Sequence, residues 1–231
     1  MKQLKAYAAQ YGLDLTPEML AQFETYQRLL LEGNQRINLT AITAPPEILE
    51  KHFLDSIIPL RFVPQGARVI DVGTGAGFPG LPMKIARPDI QLTLIDSLNK
   101  RVNFLWEVSQ ALGQQNQALH ARAEQAAHDP DLREKFDIAT ARAVAPMSVL
   151  CELCLGFVRV GGSFLALKAG GGADELSGAQ QAAEILCGSA IAAHDYQLPN
   201  FGQRAVWIVE KTSQTSSTYP RKYARITKAP L

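Results

Sequence analysis

The 231-residue chain is 47% hydrophobic and 19% charged, enough apolar residue for one full α/β domain with a modest appendage, and too little bias for a disordered or fibrous protein. No apolar run approaches the roughly 18 residues of a membrane span and the N-terminus lacks the apolar core of a signal peptide, so a soluble, cytoplasmic protein without membrane contact is expected. Three cysteines, an odd count, suit a reducing compartment, and a net charge of +1 argues against a nucleic-acid partner only if charge is evenly spread.

Apolar residues at helical spacing predict helices over 3–11 and 17–32. Thr16 is placed to cap the second, Pro17 to open it, and Gly33-Asn34 to stop it. After Asn38-Leu39-Thr40, Pro45-Pro46 leads into a third helix over 47–60 that carries His52, Asp55 and Ser56. These helices precede the first strand, so residues 1–62 read as a helical cap on a domain of 63–231, and His52 reads as a packing histidine.

The β-branched run Val69, Ile70 and Val72 then reads as a buried strand that empties into four glycines, Gly73, Gly75, Gly77 and Gly80. Glycine serves where φ is positive or where a ligand lies against bare backbone, and a nucleotide-like ligand uses both. A dinucleotide fingerprint would need its third glycine at position 78, which is Phe78. The pattern D-x-G-x-G-x-G beginning at Asp71 instead resembles motif I of class I S-adenosylmethionine (SAM) methyltransferases. Residues 91–95 form an alternating strand ending in Asp96, about 20 residues on, the spacing at which an acid accepts from ribose hydroxyls.

Further along, a helix over 99–112 turns Val102, Leu105, Val108 and Leu112 inward, and a short strand over 117–121 ends at Arg122-Ala123-Glu124. Glu124 reads either as a contact to the adenine side of a nucleoside or as an acid at a helix start. A fourth strand over 136–141 runs into Arg142, a planar donor fork for a carboxylate, phosphate or base edge, or else a solvated arginine. The segment after it holds neither the Asn/Asp-Pro-Pro-aromatic run of amine methyltransferases nor a cysteine nucleophile. Cys151 and Cys154 share one helix face without a second pair to complete a zinc site, so they are read as buried packing and no metal is expected. A fifth strand over 163–168, set up by Gly161-Gly162 and released by residues 169–172, points Lys168 to the same edge. A helix over 173–186 and a hairpin near 190–198 and 205–211 complete an α/β, Rossmann-like seven-stranded sheet with an antiparallel terminal hairpin.

The tail, 211–231, carries Lys211, Arg221, Lys222, Arg225 and Lys228 and no acid, interleaved with Tyr219 and Tyr223. Such a cluster neutralises phosphates while tyrosines stack on unpaired bases.

Together with the upstream Asn38-Leu39-Thr40 and His52-Phe53-Leu54-Asp55-Ser56, the Gly77-Phe78-Pro79-Gly80 extension, Thr140-Ala141-Arg142-Ala143, Leu167-Lys168 and Tyr219-Pro220-Arg221-Lys222 resemble the RsmG (GidB) family of bacterial 16S ribosomal RNA guanine-N7 methyltransferases. The resemblance implies SAM as cofactor and 16S rRNA or the small ribosomal subunit as partner; a monomer is expected, although no sequence feature speaks to oligomeric state. It places cofactor contacts on Gly73, Phe78, Ala123, Glu124 and Arg142, with Asp96 at the ribose; the loop residues Asp71, Gly75 and Gly77 complete that set. Arg142 and Lys168 would position substrate, and Arg221, Lys222, Arg225 and Lys228 would hold RNA. No catalytic acid or base is expected, because guanine N7 carries a free lone pair and no proton. Where many members continue with Pro-Gly, this chain has Tyr223-Ala224. A small-molecule methyltransferase, a non-catalytic assembly factor and a NAD-dependent oxidoreductase are the rival readings.

Overall fold

Seven strands pair into one sheet in the order β3-β2-β1-β4-β5-β7-β6, in a computed structural model that describes residues 1–142, 145–169 and 172–231. The strands are β1 (Arg68–Val72), β2 (Gln91–Asp96), β3 (Gln117–His120), β4 (Phe136–Arg142), β5 (Val158–Lys168), β6 (Ala192–Leu198) and β7 (Gly202–Glu210). The first five are parallel, and β7 runs antiparallel to both β5 and β6. Strands β1 and β4 are neighbours although β1 leads on to β2, so the winding reverses between them and opens a crevice at their C-terminal ends.

Helices cover both faces. On one side α1 (Lys2–Gln10), α2 (Pro17–Arg36), α5 (Gly80–Ala86) and α6 (Asn99–Ala111) share a core built on Phe23, Tyr26, Phe53, Leu81, Leu94 and Leu105. On the other, α7 (Ala123–Ala126), α8 (Met147–Cys154), α9 (Ala173–Ile185) and α10 (Tyr223–Lys228) pack with Ile70, Phe164 and Trp207. Cys151 and Cys154 lie in that second core as free thiols, pushed up by burial as packing residues should be.

Three local expectations fail for tertiary reasons. Helix α2 does not stop at Gly33-Asn34 but runs to Arg36. Gly33 is buried against α6, where a Cβ would come within 2.7 Å of Phe104, so this glycine serves close approach of two helices rather than termination. The helix expected over 47–60 is instead four helical pieces in one rod: α3 (Pro45–Glu47), a π-helical stretch (Ile48–Leu54), α4 (Asp55–Ile57) and a 3₁₀ turn (Ile58–Phe62). Strand β5 begins at Val158, so Gly161-Gly162 lie within it; a Cβ on Gly162 would meet the Asp137 carbonyl at 2.5 Å across the irregular start of the β4–β5 pairing. The expected segment through Ala143-Val144 and the Gly170-Gly171 pair fall outside the described residues.

Candidate active site

The glycine loop leaves β1 tied to the neighbouring strand: Gly73 and Thr74 both donate to the Ile95 carbonyl at 2.9 and 3.2 Å. The Gly75 N–H then donates to Asp96 Oδ2 at 2.9 Å, and Leu98 N–H donates to Oδ1 at 2.9 Å. The carboxylate that ends β2 therefore sets the loop's height over the sheet edge. Gly75 has φ +62°, and a Cβ there would meet nothing within 4 Å, so bare backbone faces open space.

Two cavities meet at this loop. The larger, about 750 Å³, runs from Gly73, Thr74 and Gly75 past Phe78 to Arg142, Lys168 and Arg204. The smaller, about 190 Å³, lies over Val72 and Ile95 and reaches Ala123, Glu124 and Leu153. Gly73, Asp96 and Ser97 line both. The loop after α2 and the helical rod supply the far wall of the larger cavity through Leu39, Thr40, Ile42, Lys51, His52 and Asp55. Its charged lining is Lys51, Arg101, Arg142, Lys168 and Arg204 against Asp55, Asp96 and Glu175, five cations to three acids, which favours an anionic ligand.

Arg142 is not the free fork that its place at a strand end suggested. Its Nη1 donates to the Lys51 carbonyl at 2.9 Å and to Asp55 Oδ2 at 3.2 Å, and its Nη2 donates to His52 Nδ1 at 3.0 Å. The guanidinium lies over the Phe78 ring, 4.8 Å from its centroid, and the His52 ring stacks on the same phenyl at 4.2 Å. Because an arginine can only donate, His52 Nδ1 must accept, which leaves the Nε2 proton to donate to Thr40 Oγ1 at 2.8 Å. Burial, reinforced by the Arg142 charge, lowers the His52 pKa to about 3, so the imidazole on the cavity wall is neutral with both ring nitrogens satisfied. Asp55 is committed too, since its Oδ1 accepts from the Tyr196 hydroxyl at 2.9 Å. Lys168 Nζ sits 2.6 Å from Glu175 Oε1 and 5.3 Å from the Trp207 ring centroid.

Several expected contacts are structural instead. Asp71 is fully buried behind the loop and lines neither cavity; its Oδ2 accepts from Thr74 Oγ1 at 2.6 Å and from Gly80 N–H at 2.9 Å. Burial raises its pKa to about 6, against the pull of those two donors, and its Oδ1 has no partner among the described residues. Gly77 also faces away: a Cβ would lie 2.4 Å from Leu81 and 2.8 Å from the Tyr26 hydroxyl. Phe78 and Gly73, by contrast, do line the larger cavity, and Ala123 and Glu124 the smaller. Glu124 is 8% exposed and accepts from Arg122 Nε at 2.5 Å.

The tail divides the same way. Arg221 forms a bidentate ion pair with the buried Glu152 of α8 at 2.8 and 2.6 Å and so clamps the tail rather than facing solvent. Lys211 is 1% exposed, with Nζ donating to the Leu155 carbonyl at 2.8 Å and pairing with Glu134 at 3.2 Å. Arg133 gathers the carbonyls of Thr215, Ser216 and Tyr219. What remains exposed is Lys222, Arg225 and Lys228, around and on α10, a helix that the basic composition of the tail gave no reason to expect.

These residues fit an adenosyl cofactor. Bare glycine backbone and the Asp96 carboxylate stand where the two cavities join, and an apolar slot ending in Glu124 lies on one side, suited to a flat base with a donor edge. Among the described residues no cluster of metal-ligating side chains is present, and no helix is long and apolar enough to cross a membrane.

Comparison with known proteins agrees with this geometry. The model of the GidB family, rRNA small subunit methyltransferase G, matches residues 19–200. "Ribosomal RNA small subunit methyltransferase G" of Streptococcus pyogenes serotype M3 is 46% identical over 224 residues, covering 95% of this chain and 94% of that protein. The counterpart from serotype M1 is equally similar, at 46% over the same coverage. Among solved structures, a putative O-methyltransferase from Klebsiella pneumoniae superposes with a TM-score of 0.57 at 18% identity, covering 91% of this chain and 97% of that one. An O-methyltransferase from Bacillus cereus in complex with SAH gives 0.56 at 14% identity, covering 81% and 91%. The fold is that of the class I SAM methyltransferases, with the antiparallel hairpin at its end.

Proposed function

The chain belongs to the GidB family of small-subunit ribosomal RNA methyltransferases, and we propose that it transfers a methyl group from SAM to N7 of a guanine in 16S rRNA. The observation that carries this reading is the absence of an available base among the described residues of the larger cavity. His52 has both ring nitrogens committed, Asp55 both carboxylate oxygens, Asp96 both of its own to the Gly75 and Leu98 N–H groups, and Glu175 is held in an ion pair with Lys168. An acceptor that must lose a proton before or during attack would find nothing to take it. Guanine N7 presents a lone pair without a proton and needs only alignment.

SAM, when bound, supplies an electrophilic methyl carbon on a sulfonium. The chain's residues hold and orient. Gly73 and Gly75 offer backbone against which the cofactor lies, Asp96 accepts from ribose hydroxyls, and Ala123 and Glu124 bound the base. The Phe78–Arg142–His52 stack forms a rigid wall of the larger cavity, fixed by the Lys51 carbonyl and Asp55, against which a purine is oriented. Lys168 and Arg204 lie where guanine O6 or flanking phosphate would seek a donor. Lys222, Arg225 and Lys228 neutralise RNA phosphates beside the site. The protein acts as a monomer in the cytoplasm, and the small subunit or its RNA is the partner.

Transfer of tritium from labelled SAM to unmodified small subunits and to free 16S RNA, followed by nucleoside analysis, tests this. Label in 7-methylguanosine is expected. SAM binding with no label in any RNA would leave the fold standing and sink the reaction.

A further inference from the structure

The smaller cavity has a base and a rim of different character. Val72, Ile95, Leu153, Asp96 and Glu124 are buried at its base, whereas Ser97, Arg122 and Tyr223 are exposed at its edge. Tyr223 opens α10, is 39% exposed, and its ring centroid lies 4.9 Å from the Arg122 guanidinium carbon. Arg122 in turn reaches the buried Glu124 at 2.5 Å. A cation held over an aromatic face restrains both groups, so ring, guanidinium and carboxylate make one connected side of the cavity, from α10 down to its base.

That side is anchored. Ile226 of α10 is fully buried in the second core, the Arg221–Glu152 pair grips the residue just before the helix cap, and His128 Nε2 bonds the Pro220 carbonyl at 2.8 Å. Lys222 immediately precedes Tyr223, and Arg225 follows within the same turn; both are exposed and form no ion pair among the described residues. Phosphates neutralised there lie beside the cavity mouth.

We propose that Tyr223, supported by Arg122, is a positioning residue that closes the nucleoside end of the cofactor cavity, and that RNA docked on Lys222 and Arg225 lies across this rim. The order of binding follows: the cofactor enters before RNA, and the demethylated product leaves after it. This inference rests on the adenosyl-cofactor reading of the paired cavities.

The test uses the full chain with S-adenosylhomocysteine as probe. Calorimetry should show Tyr223→Ala weakening binding about tenfold, the scale of one stacking contact, and Tyr223→Phe restoring it. With SAM as substrate, Tyr223→Ala should raise KM and spare kcat. In stopped flow, saturating 16S RNA should slow dissociation of the probe at least tenfold in the wild type, and the Lys222→Ala/Arg225→Ala double variant should lose that slowing. Wild-type affinity in Tyr223→Ala would overturn the closure, and a dissociation rate indifferent to RNA would overturn the order. A wild-type chain that does not bind the probe would overturn the cofactor reading beneath both.

Discussion

Gly75 and Gly77 stand two residues apart, both at positive φ, yet an added methyl group would do different harm at each. At Gly75 it meets no atom within 4 Å and projects into open space, so Gly75→Ala should lower stability by only about 1 kcal/mol, the backbone term, while SAM affinity falls by an order of magnitude or more. At Gly77 the same change drives into Leu81 and the Tyr26 hydroxyl, which itself donates to the Ala76 carbonyl at 2.6 Å, so about 3 kcal/mol of stability should go. Urea titration beside calorimetry separates the two, and equal destabilisation would contradict this assignment of roles. Asp71 and His52 also pull in opposite directions. Asp71, raised from 3.8 to about 6, holds its proton more tightly when folded, so its contribution is greatest below pH 3.8 and is lost as pH rises through 6. His52, lowered from 6.5 to about 3, contributes fully above pH 6.5 and loses that contribution as pH falls toward 3. Relative to wild type, Asp71→Asn should therefore gain roughly 2–3 kcal/mol of stability between pH 4 and 7. Parallel stability curves for the two proteins would count against the burial of a charged Asp71.

Among the elements, α2 and the tail strap show best what could be read in advance and what could not. The strands themselves were legible because β-branched runs and glycine turns are local signals; Gly73 and Asp96 stand at the strand ends their spacing required, and Phe78, singled out by the resemblance, lines the same cavity. Gly33 misled because its reason is Phe104, distant in sequence; Gly33→Ala should destabilise by about 1–2 kcal/mol despite the gain in helix propensity, since Phe104 is buried and cannot swing clear. A stabilised variant in thermal melts would mean that α6 yields. Arg142 looked free because its partners, Lys51, His52 and Asp55, come from a π-helical stretch and its flank that no local pattern announces. Arg221 looked like an RNA contact because Glu152 lies 69 positions away. Removing one member of a buried pair leaves the other charged and unpaired, so Arg221→Ala should cost about 3 kcal/mol and loosen α10. Arg225→Ala, at an exposed position, should leave the melting temperature unchanged, and a large drop there would revise this division of labour.

At the scale of the whole molecule, a net charge of +1 conceals a polarised surface, because the two most buried tail cations, Lys211 and Arg221, are already spoken for by Glu134 and Glu152. The exposed set around α10 should then dominate the salt dependence of RNA binding. Replacing Lys222, Arg225 and Lys228 together by Ala should flatten the slope of log K against log salt by about 2 while leaving SAM-independent stability intact. An unchanged slope would move the RNA footprint elsewhere on the sheet edge. The molecule also carries its own optical probe. It has two tryptophans: Trp106 is 45% exposed on α6, whereas Trp207 is 2% exposed on β7, beneath the Lys168 ammonium that lines the larger cavity. Iodide should therefore quench Trp106 and spare Trp207, leaving an emission whose wavelength tracks the charge directly above it. Anything that draws Lys168 away from Trp207 should shift that residual colour, so occupancy of the cavity can be followed by light without a label.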